Sequence, residues 1–231
     1  MCSSDLNLGP NINSSSNELT SALSPDGHRL YFESNRPGGF GAEDLYVSRR
    51  HNRRNDFGWG PPENLGSGVN SAASEGGPFH FEDDETGTTT LYFNSNRLGG
   101  TGAFDIYASR LNEDEAFGPA VLVEELSSPF SDRRPVIRRD GRELLLESNR
   151  PGAIGGSLDL WVSTRTSTSE LWSTPVNLGP VVNSAAVEAR PALSFRGTEL
   201  YFNSNRPGGF GSQDLYVSTR TRLRDPDDDE R

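Results

Sequence analysis

The chain has 231 residues, a formal net charge of −11 at neutral pH and a single cysteine. The negative charge disfavours nucleic acid or an anionic membrane surface as partner, and one cysteine excludes an internal disulfide. No apolar run approaches the length of a membrane span, and every basic side chain other than histidine is an arginine.

Taken in chain order, the sequence opens on Met1-Cys2-Ser3-Ser4-Asp5. This reads either as the mature start of a lipid-anchored protein with Met1 in place of its leader or as a chance cysteine; no secretory leader is otherwise expected. Residues 5–9 then match an outer strand with no repeat unit in front of it. Four units follow, at 17–66, 74–123, 131–179 and 187–220, with a period near fifty-six residues.

The units share one pattern. The last reads as a strand over Glu188–Ser194, a turn at Arg196-Gly197, an aromatic-rich strand over Glu199–Asn203, a glycine loop over Pro207–Gly211 and a third strand over Asp214–Ser218. In the preceding unit a fourth strand runs over Trp172–Gly179, and its proline suits an outer edge. Four short antiparallel strands per repeat predict a propeller blade. The predicted architecture is therefore all-β, a four-bladed β-propeller forming one domain over 1–222. In the column of Trp59, Phe117 and Trp172, Cys2 takes the equivalent place and Asn7 matches Asn177. The strand at 5–9 is thus expected to complete the last blade and close the ring, removing exposed edges. Residues 223–231, rich in aspartate, are expected to be a disordered acidic tail.

Ser24-Pro25-Asp26-Gly27 followed by Arg29-Leu30-Tyr31-Phe32-Glu33-Ser34-Asn35-Arg36 resembles the bacterial WD40-like, TolB-like propeller repeat, whose blades carry an S-P-D-G turn. The turn degrades to Arg138-Arg139-Asp140-Gly141 and Ser194-Phe195-Arg196-Gly197, and an insertion over Glu82–Thr90 replaces it in the second unit. The resemblance implies a scaffold for protein contacts in the periplasm or cell envelope. A cytoplasmic location stays open, and so does lipid anchoring through Cys2.

The repeated polar residues point first to structure. Asn35, Asn96, Asn149 and Asn205 stand where a strand enters a glycine loop, and Asp44, Asp105, Asp159 and Asp214 where the next strand begins. The aspartates are suited to accept loop amides or to pair with Arg36, Arg97, Arg150 and Arg206. A calcium ion in each loop is the lesser alternative. Glu18, Glu75, Asp132 and Glu188 form a second column, spaced fifty-seven, fifty-seven and fifty-six apart. If their parity faces the axis, four carboxylates approach one another, and either the repeat arginines or one axial calcium must neutralise them.

Function on a symmetric scaffold is expected where symmetry fails. Arg133, Arg134 and Arg138 of the third unit, with Arg190 of the fourth, form a basic cluster suited to a carboxylate or an acidic partner loop, or else to internal pairing. Phe57, in the loop from His51 to Trp59, is a candidate contact residue. A monomer engaging a protein, with a polysaccharide as the alternative, is the expected mode. The chain lacks G-x-S-x-G, H-E-x-x-H, C-x-x-C and a P-loop, so it is expected not to be an enzyme. A glycosidase-type carboxylate pair is the alternative kept open. His80 falls in the column of Leu23, Ile137 and Leu193 and is expected to be a hydrogen-bonded core histidine.

Overall fold

The computed structural model describes residues 7–156 and 158–221. Blade one is β1 (Glu18–Leu23), β2 (Arg29–Ser34), β3 (Asp44–Arg49) and β4 (Glu63–Asn64). Blade two is β5 (Glu75–Glu82), β6 (Thr89–Ser95), β7 (Asp105–Arg110) and β8 (Val121–Leu122). Blade three is β9 (Asp132–Ile137), β10 (Glu143–Ser148), β11 (Asp159–Thr164) and β12 (Val176–Asn177), and blade four is β13 (Glu188–Leu193), β14 (Glu199–Ser204) and β15 (Asp214–Thr219). Each sheet is an antiparallel meander in chain order, so the protein is the all-β, four-bladed propeller that the repeat predicts. Among the described residues no helix is long and apolar enough to cross a membrane.

The middle strands of blades one to three are buried on both faces, because each is covered on either side, whereas β14 and β15 of blade four leave alternate residues exposed or half-buried. Tyr31, Leu45 and Val47 of blade one pack with Leu91, Phe93 and Tyr107 of blade two. Ile106 of blade two meets Leu144, Leu146 and Trp161 of blade three, and Leu145 and Leu160 of blade three meet Leu200 and Phe202 of blade four. The loops that close the blades need glycine for two different reasons. Gly38, Gly99, Gly152 and Gly208 have φ between 92 and 97°, a region closed to residues with a Cβ. At Gly102 a Cβ would run into the backbone oxygens of Ser128 and Phe130, where the loop crosses to the next blade.

Two expectations about the ring need correction. The sheet of blade four has three strands: residues 7–9 form no strand, and Leu8 packs instead against the Ile12, Leu30, Phe32, Tyr46 and Trp59 cluster of blade one. Residues 5 and 6 lie outside the described residues, as do Cys2 and the acidic tail. The innermost strands pack β1 on β5, β5 on β9 and β9 on β13, but no comparable packing joins β13 to β1. The insertion over 82–90 lengthens the β5–β6 hairpin. It leans on blade three, with Asp84 3.5 Å from Arg139 and Glu85 3.8 Å from Arg142.

Candidate functional site

The conspicuous concavity is an axial cavity of about 900 Å³, walled by β1, β5, β9 and β13. Its shape depends on a bulge that recurs at one register in every innermost strand. Gly76 pairs with Asn94 and Phe79 with Tyr92; Arg133 pairs with Glu147 and Val136 with Leu145; Ala189 pairs with Asn203 and Ala192 with Tyr201. Two residues of the inner strand therefore oppose one of the second strand. In blade one a single extra residue, Thr20, is left out between Leu19 and Ser21. The bulged residues Thr20, Gly77, Arg134 and Arg190 have φ of 26, 57, 53 and 56°. A proline follows three of them, Pro78, Pro135 and Pro191. Proline cannot donate to the ladder and is tolerated at bulges. An acidic residue with X-Pro two positions later, in three units of four, was the sequence signal available for this feature.

The bulges of blades two, three and four are each held by the preceding blade. The Gly77 N–H donates to Glu33 Oε2 (3.0 Å), Arg134 N–H to Asn94 Oδ1 (3.2 Å) and Arg190 N–H to Glu147 Oε2 (2.8 Å). A left-handed residue with a side chain costs about 1–3 kcal/mol and persists where its surroundings over-determine it, often at functional sites. Bulges also re-aim side chains; here they set Thr20, Arg134 and Arg190 on the cavity wall.

The bulge also corrects the axial acid expectation. An extra residue breaks the two-residue alternation, so the acids two positions earlier do not follow their neighbours to the axis. Glu75, Asp132 and Glu188 are fully buried within their own blades. Glu75 accepts from the Ser71 N–H (2.8 Å), Ser71 Oγ (2.6 Å) and Ser95 Oγ (2.7 Å), and pairs with Arg97 at 3.2 Å. Glu188 repeats this with Ser184, Ser204 and Arg206, and Glu18 with Ser14, Ser34 and Arg36. Asp132 pairs with Arg150 at 2.5 Å. Burial acts to raise the Glu18 carboxyl, yet the bonds from Ser14 and Ser34 and the charge of Arg36 hold it below the usual range. Among the described residues no three Asp, Glu, His or Cys side chains gather as a metal-holding group, so the axial calcium has no ligand set here.

The loop residues act locally. Asn35, Asn96, Asn149 and Asn205 accept the N–H of Asn17, Ser74, Ser131 and Val187, pinning the entry to each inner strand. Asp44, Asp105, Asp159 and Asp214 accept loop amides from Phe40, Thr101, Ile154 and Phe210.

Of the basic cluster, Arg134, Arg138 and Arg190 line the cavity together with Arg139. Arg133 does not; it stacks on Phe104, 3.8 Å from the ring centroid, and donates to Ser131. Phe57 is exposed on its loop and is not part of the lining. Arg134 pairs with Glu147 at 3.2 Å, and Arg138 pairs with Asp140 at 2.7 Å and with Glu143 at 3.4 Å. Arg139 lies over the Phe195 ring, 4.8 Å from its centroid. Arg190 is exposed, and among the described residues its guanidinium has no carboxylate partner. Leu19, Leu23, Phe79, Val136 and Phe195 supply apolar wall, Thr20, Ser21 and Ser194 add hydroxyls, and Glu82 and Asp84 stand on blade two. Burial pushes the Glu82 carboxyl upward, with Asp26 adding to the effect. His80 is a core residue stacked on Tyr31, with ring centroids 5.1 Å apart. It is not hydrogen-bonded as expected: among the described residues neither ring nitrogen has a hydrogen-bond partner, and the Glu82 carboxylate lies 3.8 Å from Nδ1.

No family model matches the chain, and no curated protein matches it. Solved structures share its fold. TolB from Acinetobacter baumannii aligns over 90% of this chain and 42% of its own, with TM-score 0.59 and 16% identity. An α-L-arabinofuranosidase from Lactobacillus brevis aligns over 87% and 71%, with TM-score 0.58 and 12% identity. The catalytic domain of a Coprinopsis cinerea GH62 α-L-arabinofuranosidase aligns over 93% and 76%, with TM-score 0.53 and 15% identity. The chain thus spans less than half the length of the TolB chain. The arabinofuranosidases correct the expectation that this protein is not an enzyme: their fold is the one seen here, so missing serine-hydrolase, zinc and P-loop motifs do not exclude catalysis on it.

Proposed function

We propose that this chain is a binding propeller that captures a carboxylate-bearing segment of a partner protein in its axial cavity, with the cell envelope as its location on the strength of the TolB-like resemblance. The observation that carries this reading is Arg190, an exposed guanidinium with no carboxylate partner among the described residues, held at a left-handed φ of 56° on the wall of a cavity that mixes apolar and charged side chains. Apolar walls with a few placed polar groups are the usual composition of a recognition site. Arginine suits a carboxylate through its bidentate fork.

The test is a titration of a fluorescently labelled Asp/Glu-rich peptide. Arg190→Glu is expected to weaken binding about tenfold or more, the worth of one charge-assisted pair. Arg190→Gly relieves the left-handed strain and is expected to raise stability by about 1 kcal/mol, roughly 2–4 °C in melting temperature, while also losing affinity. Unchanged affinity in both variants removes the site assignment. The same titration with a uronic-acid oligosaccharide separates the polysaccharide alternative.

Glu82 supports a second reading, glycoside hydrolysis. A carboxyl raised by burial, in a cavity that also holds Asp84, meets the first requirement of a general acid. Under this reading an aryl-glycoside panel that includes arabinofuranosides is hydrolysed by the native protein and left intact by Glu82→Gln. No release from any member of the panel removes it.

A further inference from the structure

Both halves of a fourth inter-blade contact are present at opposite ends of this molecule, and they do not meet. The complete seams show what such a contact requires. Between blades one and two, Asn70 brackets the backbone of Leu45: its Oδ1 accepts the Leu45 N–H at 2.8 Å, and its Nδ2 donates to the Leu45 carbonyl at 2.9 Å. Between blades three and four, Asn183 does the same to Leu160, at 2.9 Å in both bonds. Between blades two and three Ser127 takes this place, accepting the Ile106 N–H. The bracketed residues Leu45, Ile106 and Leu160 are all fully buried.

The bracket is itself a preformed turn. Asn64 Oδ1 accepts from the Gly66 N–H and from Asn70 Nδ2, both at 2.8 Å, and Asn177 holds Gly179 and Asn183 at the same two distances. Residues Asn7–Asn13 build this turn a third time. Asn7 Oδ1 accepts from the Gly9 N–H at 2.9 Å and from Asn13 Nδ2 at 2.8 Å, and the Asn13 N–H donates to the Gly9 carbonyl at 2.9 Å. Ile12 lies on Leu30 and Phe32 as Val69 lies on Leu91 and Phe93. Yet among the described residues Asn13 brackets no backbone.

At the other end, Leu215 occupies the position of Leu45, Ile106 and Leu160 but is 78% exposed. Val217 and Tyr201, whose counterparts Val47 and Tyr31 are buried, are 54% and 43% exposed. The pairing of Tyr46 with Asn64 and of Trp161 with Asn177 makes Tyr216 the missing partner of Asn7. An exposed apolar face beside an unpaired strand edge is an association surface.

We infer that a second copy of this chain covers that face: the Asn7–Asn13 turn of one protomer docks on Tyr201, Leu215 and Val217 of the next, with Asn13 bracketing Leu215. The occupant follows from the template. The seam repeated inside the molecule joins an Asn bracket to a Leu backbone, and this chain presents one of each without a partner. The contact is head-to-tail, so it propagates as a ring or an open filament, according to whether the rotation closes. It replaces the monomer expected from the sequence.

The test uses the full chain in a Cys2→Ser background. Sedimentation velocity across a dilution series is expected to show species of two or more protomers that dissociate on dilution. Leu215→Asp and, independently, Val217→Lys convert them to monomer; both sites are exposed, so the fold is retained. Asn13→Cys in one tagged chain and Leu215→Cys in another are expected to give a mixed product with a short bismaleimide. A monomer at every soluble concentration overturns the inference. So does an oligomer indifferent to both surface variants, or a chain carrying both cysteines that cross-links only within itself.

Discussion

Asp132→Ala is expected to lower the melting temperature by about 10 °C. Asp132 is fully buried, and its partner Arg150 is 7% exposed. The carboxylate accepts from Arg150 Nη2 at 2.5 Å, Arg150 Nε at 3.2 Å and Ser128 Oγ at 2.7 Å. Among the described residues, removing it leaves the guanidinium hydrogen-bonded to the Leu126 carbonyl and Ser148 Oγ, with no opposite charge. Breaking a buried pair on one side costs about 3–5 kcal/mol, because the remaining charge stays desolvated. For a protein of this size each kcal/mol moves the midpoint by roughly 2–4 °C. Glu18→Ala is expected to cost less, since Arg36 retains 15% side-chain exposure and regains some hydration. Thermal denaturation followed by circular dichroism compares the two; an equal loss would mean that the pairs act through packing rather than charge.

The second large effect is a loss of stability on acidification, between pH about 6.5 and about 4, that depends on His80. Burial holds the imidazole near a pKa of about 4, with Arg29 acting in the same direction and Asp26 against it. Below the unfolded pKa of about 6.5 the unfolded chain takes up a proton that the folded chain refuses. The stability contributed by a neutral His80 is therefore full above pH about 6.5, falls as pH drops and is exhausted near pH 4. The span of roughly 2.5 pH units corresponds to about 3 kcal/mol. Urea midpoints of the native protein are expected to follow that limb. In His80→Phe, which keeps the ring against Tyr31 and loses the titration, the limb should flatten. A native limb that persists unchanged in the variant would assign it to other groups.

His80 also illustrates what a one-dimensional pattern reveals. Its column with Ile137 marked it as core, and it is core; whether its nitrogens find donors or acceptors depends on side chains brought in from blade one, such as Tyr31. The acid column follows the same logic. The spacing of Glu18, Glu75, Asp132 and Glu188 was visible in the repeat, but their direction was inverted by a bulge that strict alternation does not anticipate. The bulges set Arg134 and Arg190 alike on the cavity wall, and pairing separates them: Arg134 meets Glu147, while Arg190 has no carboxylate partner among the described residues.

By itself the sequence determined the elements: the four-unit period, the three or four strands of each unit, the glycine loops and the aspartates and asparagines that tie them. These depend on side-chain alternation and on turn chemistry within a few residues, which a chain encodes locally. Only the tertiary structure decided which repeated carboxylate meets which arginine, which residues the bulges turn toward the axis, and that blade four does not close on blade one. Those outcomes depend on the rotation between successive blades. That rotation is set by packing across sheets whose residues lie about fifty-six positions apart, and it accumulates around the ring. No local pattern carries that sum, so the expected closure by residues 5–9 gave way to a bracket at Asn13 and a bare Leu215 at opposite ends of the propeller.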